Sequence, residues 1–399
     1  DNYDYLLVDC QPSLGLLTVN ALTAAHGVLI PLECEFFALR GVALLVETIE
    51  KVRDRLNPAL QVDGIVATMY DQRTLHAREV VARVHEAFGD TLLRSTPLIL
   101  AGLGLAYGFR ANLFNIGAEG QLFMGGLAVA WLGLVLVGQP WYIVVPLLLI
   151  AAMLAGAAWA FIPAILKARI GAHEVITTMM FTYIARYIVS WLVVGPLQDP
   201  GQIPQTRELP IAAQLPRIQS LFSDATLQAM PFLKLGRAHT GIFVALVAAV
   251  ILWLVLKYTT LGYENRAVGF NPFAAETGGI SVQWTTVKAL CISGALAGLA
   301  GGVEVMGVHH RLFDQFSSGF GFTGIAVALL AKNHPLAVVP AAILFGALSA
   351  GGGTMQLVAD VPQKIILIVQ ALIIFFVAAE GIITYLFKQR QKEVPSHVG

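Results

Sequence analysis

FNIGAEGQ, from Phe114 to Gln121, places three hydrogen-bonding side chains, Asn115, Glu119 and Gln121, in an otherwise apolar region. Two further carboxylates, Glu174 and Glu304, lie in or beside long apolar runs. Ionisable groups are costly in such surroundings and are by default a functional hypothesis, here direct contact with a polar solute. The other reading of the three carboxylates is that they sit at helix ends and bond backbone groups. No catalytic set is legible. His309-His310 lacks a carboxylate at metal-ligand spacing and reads as a solvated loop. Cys10, Cys34 and Cys291 are widely spaced in apolar surroundings, which fits core thiols and neither a disulfide framework nor a zinc site. No GxxxxGK[ST] loop occurs, so the backbone cradle that holds nucleotide phosphates is missing.

The elements that must position these groups belong to two physical classes. Of the 399 residues, 57% are hydrophobic and 13% charged, and the mean hydropathy is +0.72. An ordinary soluble domain has roughly a quarter of its residues charged. The formal charge of zero hides an asymmetry: up to Leu93 there are 7 Lys+Arg against 13 Asp+Glu, and from Arg94 onward 18 against 12. From Thr96 the apolar runs match bilayer thickness, roughly 20 residues per helix. They are Thr96 to Asn112, Leu122 to Val137, Trp141 to Leu166, Val175 to Val194, Thr240 to Leu256, Trp284 to Gly307, a broken pair Gly321 to Ala331 and Pro335 to Ala350, and Pro362 to Phe387. Basic groups at Lys167/Arg169, between Lys257 and Lys288, and in the tail from Lys388 to Lys392 fall on one side if each run crosses. That side is then cytoplasmic. The loop from Gly195 to His239, which carries Pro196, Pro200, Pro204 and Pro210 ahead of an amphipathic stretch, faces outward as an ordered lip. The small residues of GALAGLAGG (Gly294 to Gly302) suit close helix contact. The broken pair, interrupted by Lys332 to Pro335, fits a discontinuous helix lining a pathway.

The front part has another rhythm. YDYLLVD (Tyr3 to Asp9), HGVLIPL (His26 to Leu32) and LQVDGIVATMYD (Leu60 to Asp71) read as buried parallel strands. Val42, Leu45, Val46, Ile49, Val52 and Leu56 fall on one helical face between them, and a further helix, Ala77 to Phe88, is expected to end at Gly89. The predicted fold class is therefore mainly α: a polytopic transmembrane helical bundle with a short N-terminal α/β fragment, a partial doubly wound parallel sheet. The predicted domains are residues 1–93 and 94–399.

Two resemblances refine this division. YDYLLVDCQPSLGLLTVNALTAA, VLIPLECEFFALRG and NPALQVDGIVATMYDQRT resemble consecutive blocks of the ParA and MinD-like partitioning ATPases. Asp9 stands where that family has the acid that closes a Walker B strand and assists Mg²⁺. Gln11 replaces a proline, and the absent phosphate loop leaves Asp9 vestigial. RSTPLILAGLGLAYGFRANLFNIGAEGQL, GAHEVITTMMFTYIA, VGPLQDPGQIPQT, LGYENRAVGFNPFAAETGGI and SGFGFTGIAVALLAKNHPLAVVPAAILFGAL resemble, in order, the permease subunits of bacterial ABC importers of simple sugars and nucleosides. This second likeness runs from about Thr91 to the end, with His173 where many relatives have Asn. Relatives carry at least one more helix ahead of TPLILAGL. The text thus reads as a join of two coding segments near Thr91 to Arg94.

The second resemblance implies a non-enzymatic passage in the bacterial inner membrane, with a cytoplasmic C-terminus. Its implied partners are a separate ABC ATPase subunit, a second permease subunit, homologous or identical, an extracytoplasmic substrate-binding lipoprotein and membrane lipid, with no nucleic acid. ATP and Mg²⁺ would serve the ATPase, and this chain would bind no cofactor. A soluble partitioning ATPase and a secondary transporter are the alternatives. Between Leu261 and Gln283, NPFAAETGGI predicts a short helix capped by Asn271, begun by Pro272 and ended at Gly278-Gly279. Ala274, Ala275 and Gly279 resemble the alanine-and-glycine coupling loop on which ABC importer permeases dock their ATPase.

Overall fold

The computed structural model describes residues 6–10, 15–33, 38–68, 75–223, 226–227, 235–359, 362, 364–373 and 375–376. The chain divides into two compact units, Asp1–His85 and Glu86–Gly399.

The first unit contains α1 (Leu16–Ala24), β1 (Gly27–Glu33), α2 (Ala38–Arg55) and β2 (Gln61–Thr68). The strands pair in parallel from Gly27 with Gln61 to Glu33 with Thr68. A small core forms where Leu22, Ile30, Ile49, Val52 and Leu60 meet, with Leu45 and Val46 packed against it. Asn57 Nδ2 donates to the carbonyls of Leu22 and Ala25 at 3.3 and 2.7 Å, which ties the end of α1 to the turn before β2. Three expectations change here. The strand over Tyr3–Asp9 is not formed in its described part: residues 6–10 have no regular structure and Leu6 and Leu7 are 85% and 94% exposed. A parallel strand needs cover on both faces, and no described element covers this run. Cys10 is exposed for the same reason. Leu56 follows the last turn of α2 and is exposed. Cys34 lies outside the described residues.

Helix α3 (Leu75–Arg110) does not stop at Gly89. Without a left-handed conformation there is no cap; Gly89 is needed because the Leu235 backbone carbonyl lies where its Cβ would be. Pro97 leaves a gap in the helical ladder, and Ser95 and Thr96 on the same turn bond back to Thr91 and Leu92 carbonyls at 2.6 and 2.8 Å. The second unit continues with α4 (Ala118–Val135), α5 (Trp141–Ile170), α6 (Glu174–Val194), α7 (Gly241–Tyr258), α8 (Thr260–Phe270), α9 (Pro272–Thr277) and α10 (Val282–Glu304). Then come α11 (Phe320–Leu330), α12 (Pro335–Ala359) and α13 (Lys364–Ile373).

Among the described residues, seven helices are long and apolar enough to cross a membrane: Glu86–Arg110 of α3, then α4, α5, α6, α7, Val282–His309, and Pro335–Gly353 of α12. Helices α11 and α13 are shorter apolar pieces. The break is where the sequence placed it: α11 ends at Leu330, Lys332 and Asn333 take positive φ of 48° and 58°, and α12 starts at Pro335. Half of the predicted last span, and the whole basic tail, lie outside the described residues.

The centre of this bundle is built from close backbone contact. Helix α10 packs along α4 and α5. A Cβ on Gly301 would run into the Leu122 carbonyl, and one on Gly298 into the Ala152 carbonyl. Small residues are the means of close packing where lipid offers no hydrophobic drive. Glu86–Arg110 of α3 and Val282–His309 are mostly buried, whereas α5, α6 and α7 expose rows such as Ile150, Leu154, Tyr187, Trp191, Val247 and Ile251. In lipid that outward face needs no protein cover. The described part of the lip is tied to the bundle: Thr206 N donates to Leu312 O, Leu209 N to His310 O, Leu215 N to Met306 O and Ile218 N to Ala238 O, all within 2.7–2.9 Å.

Candidate functional site

The FNIGAEGQ segment lies at the non-helical entry to α4, and its polar residues are almost fully buried. Asn115 Nδ2 donates to Gln121 Oε1 at 2.8 Å and to Ser293 Oγ of α10 at 2.9 Å. Its Oδ1 accepts from Gln121 Nε2 and from the Gly117 amide, both at 3.1 Å. Both donors and both acceptor positions of this side chain are therefore filled. The knot ties α4 to α10 and leaves Asn115 no free position for a solute.

Glu119 has a different environment. It is in the first turn of α4, and its Oε2 accepts a 2.6 Å hydrogen bond from the Gly321 amide in the first turn of α11. Both helices thus direct their positive ends toward one carboxylate, the arrangement that favours a buried anion. Contact is close because residue 321 is glycine: an added Cβ would lie 2.6 Å from Glu119 Cα. The half-length α11 therefore begins inside the bundle, against the polar entry of α4.

The other two carboxylates are elsewhere. Glu174 is in the first turn of α6 and pairs with Lys167 Nζ at 2.8 Å, across the turn that Gly171 closes with φ of 72°. Glu304 is eleven residues beyond Ser293, roughly 16 Å along α10 at helical rise. Its Oε1 is 3.6 Å from His309 Nε2, and its Oε2 is buried without a hydrogen-bond partner. The Val305–His309 segment is a π-helical turn, and His309 packs edge-on against Phe313 and Phe316. His309 is therefore half-buried, correcting the solvated loop expected from sequence; the wider turn rotates it into the lip. The structure thus separates the five candidates: Asn115 and Gln121 share the knot, Glu119 meets the head of α11, Glu174 holds the α5–α6 turn and Glu304 lies beside the π-helical turn.

At the lip, His239 is 1% exposed. Its Nδ1 accepts from the Gly241 amide at 3.1 Å, so the neutral ring carries its proton on Nε2, which has no partner. Burial first, and the charge of His310 second, push its pKa down to about 4. Among the described residues no group of three or more His, Cys, Asp or Glu is arranged to hold a metal ion.

Helix α9 has the form predicted for it. Asn271 Oδ1 accepts from the amides of Phe273 and Ala274 at 3.0 and 3.1 Å, Pro272 opens the helix, and Gly279 leaves it with φ of 83°. Phe270, Phe273 and Ala274 are exposed, whereas Ala275 is buried in the chain's own packing. Asp9 is exposed in the first unit.

A family model for the permease component of branched-chain amino acid transport systems matches residues 88–378. The chain belongs to this permease family. It is 41% identical over 310 residues to a guanosine ABC transporter permease protein of Bacillus subtilis, covering 76% of this chain and 84% of that protein. It is 37% identical over 323 residues to a glucose ABC transporter permease protein of Haloferax volcanii, covering 80% and 84%. A model of the AAA domain matches residues 1–62. The front segment is 53% identical over 95 residues to a chromosome-partitioning ATPase of Treponema pallidum, covering 24% of this chain and 38% of that ATPase. No solved structure matches.

The permease is thus a multi-pass membrane transporter subunit, not an enzyme, preceded by a segment of ATPase-like sequence. Its family works with ATPase and substrate-binding partners. Sequence reasoning missed Ser293, a single hydroxyl inside an apolar run whose only signal was its polarity, and His239, which looked like the end of a loop. Gly321 was seen only as the start of a short apolar piece.

Proposed function

We propose that the permease forms the inward passage for a nucleoside or simple sugar in the bacterial inner membrane, with its C-terminus cytoplasmic. The observation that carries this reading is the identity of 36–41% over most of the chain to permeases named for guanosine, glucose and nucleosides. A second permease subunit, homologous or identical, completes the pore, and an extracytoplasmic lipoprotein delivers the solute to the lip. Glu119 at the head of α11 and Glu304 at the lip border the pathway; Asn115 and Gln121 position that border. Glu174 holds the α5–α6 turn through Lys167. The permease binds no cofactor, because ATP and Mg²⁺ are used by the separate ATPase.

Coupling to the ATPase runs through α9, with Asn271 and Pro272 fixing its start and Gly279 its exit. A rigid surface helix with exposed Phe273 and Ala274 fits a groove on a partner. Buried Ala275 supports it from beneath, so a charge there would disturb the permease itself. Ala274→Arg is the cleaner variant: ATPase co-purification and ATP-driven uptake in proteoliposomes should both fall about tenfold or more, with the membrane fold retained. Normal assembly and transport by that variant would remove α9 from the coupling path. Uptake driven by an ion gradient without ATP or the ATPase would overturn the importer reading as a whole.

A further inference from the structure

Three helix ends meet at one face of the bundle: the end of α3 at Arg110, the end of α7 at Lys257, and the start of α12 at Pro335. Between them is a cavity of about 440 Å³, lined by Arg110, Lys257, Arg266 and His334 together with Trp253 and Leu256. None of the described residues lining it is acidic, and among the described residues no ion pair joins Arg110, Lys257 or Arg266 to a carboxylate. Three basic side chains thus share a partly enclosed space. Such a grouping is self-repelling until an anion enters it.

The side chains are held in place without exhausting their donors. Arg110 Nε donates to the Asn333 carbonyl at 2.8 Å, and Arg266 Nη1 donates to the Leu256 carbonyl. A guanidinium has five N–H groups, so each arginine retains others. Lys257 Nζ sits 5.0 Å from the Trp253 ring centre and 5.1 Å from that of Tyr258. Aromatic rings with a neighbouring cation mark the level where the apolar bilayer gives way to headgroups. The lead-in to the cavity is apolar: Val250, Ile251 and Leu254 on α7 are exposed immediately before Lys257. An occupant therefore needs an anionic head for the cavity and an apolar body for the helix face below it.

We propose that this cavity binds the phosphate headgroup of an acidic phospholipid whose acyl chains lie along α7. The charge accounts for the phosphate, and the continuous apolar face favours a lipid over free phosphate or a protein surface. The site depends neither on the transported solute nor on which side of the membrane it faces.

The test uses the full chain in nanodiscs of phosphatidylcholine containing a minor fraction of phosphatidylglycerol. After extraction in detergent, the ratio of the two retained lipids is read by native mass spectrometry. Wild-type protein should retain phosphatidylglycerol preferentially. Lys257→Gln and Arg266→Gln should each lower the preference about fivefold, and the double variant about 30-fold. Lys288→Gln, which removes a cation paired to Glu264 outside the cavity, should leave it unchanged. The melting temperature in pure phosphatidylcholine reports whether each variant is folded, and each single variant is read independently of the double. An unchanged lipid ratio in folded Lys257→Gln and Arg266→Gln would overturn the proposal. So would an equal loss in Lys288→Gln, which indicates general surface charge, or displacement of the lipid by millimolar inorganic phosphate, which indicates a free-anion site. Loss of ATPase co-purification with lipid retention intact would assign the cavity to the partner protein instead.

Discussion

Exposed apolar side chains occur in both units, yet they have opposite consequences. Among the described residues of the first unit, Leu29, Val62 and Val66 are exposed on a two-stranded sheet, and the buried core is five residues. Sheet edges leave backbone donors and acceptors open, so an uncovered apolar sheet is a liability in water. In the second unit the exposed rows of α5, α6 and α7 stand on helices whose backbone bonds are internal, and lipid is a suitable solvent for them. Exposure has meaning only relative to the solvent and to the state of the backbone. The same contrast applies to glycine: Gly64 in β2 has open space where a Cβ would be, while Gly301 in α10 faces the Leu122 backbone.

The largest expected effect tests that contrast directly. Gly301→Val should cost about 3 kcal/mol or more, because the obstacle is backbone that cannot rotate away, and the protein should lose its monodisperse elution in detergent. Gly64→Ala should change the melting temperature of the bundle by less than a degree. Equal effects would mean that the two units share one cooperative core.

The next effect concerns pH. His239 is neutral in the folded permease until about pH 4, whereas in an unfolded chain it takes a proton at its ordinary value of 6.5. Stability is therefore complete above about pH 6.5 and falls as pH drops toward 4, by roughly 3 kcal/mol in total, with no further loss from this group below 4. His239→Gln should flatten the dependence of melting temperature on pH within that window. An unchanged slope would show that the buried imidazole is not the responsible group.

A smaller loss is expected at the central knot. Asn115→Ala leaves the Gln121 amide and the Ser293 hydroxyl without their partner, at a cost of about 1–3 kcal/mol per group stranded, reduced where water enters the space. The melting temperature of Asn115→Ala should fall, and adding Ser293→Ala should cost less than it does in the wild-type background. Full additivity would show that the two side chains are not coupled.

Local features were legible in the sequence because their causes are neighbours along the chain. The apolar run lengths gave the spans, Asn271-Pro272 gave the start of α9, and Lys332 to Pro335 gave the break before α12. The front strand over Tyr3–Asp9 was misjudged in its described part for the converse reason: an apolar run becomes a strand only where other elements cover it, and periodicity does not report cover. Gly89 was misread as a cap because glycine serves both positive φ and close approach, and only the second applies.

By itself the sequence determined that most of this chain lives in lipid, that its front belongs to another physical class, and where α9 starts and the break before α12 falls. The tertiary structure alone decided which polar groups meet. Asn115 bonds Ser293 from 178 positions away, and Glu119 bonds the Gly321 amide from 202 away. Such partnerships depend on how α4, α10 and α11 pack. In a bilayer, helix packing is directed by shape and by the few polar groups left to satisfy, and neither is encoded in the spacing of residues along one helix.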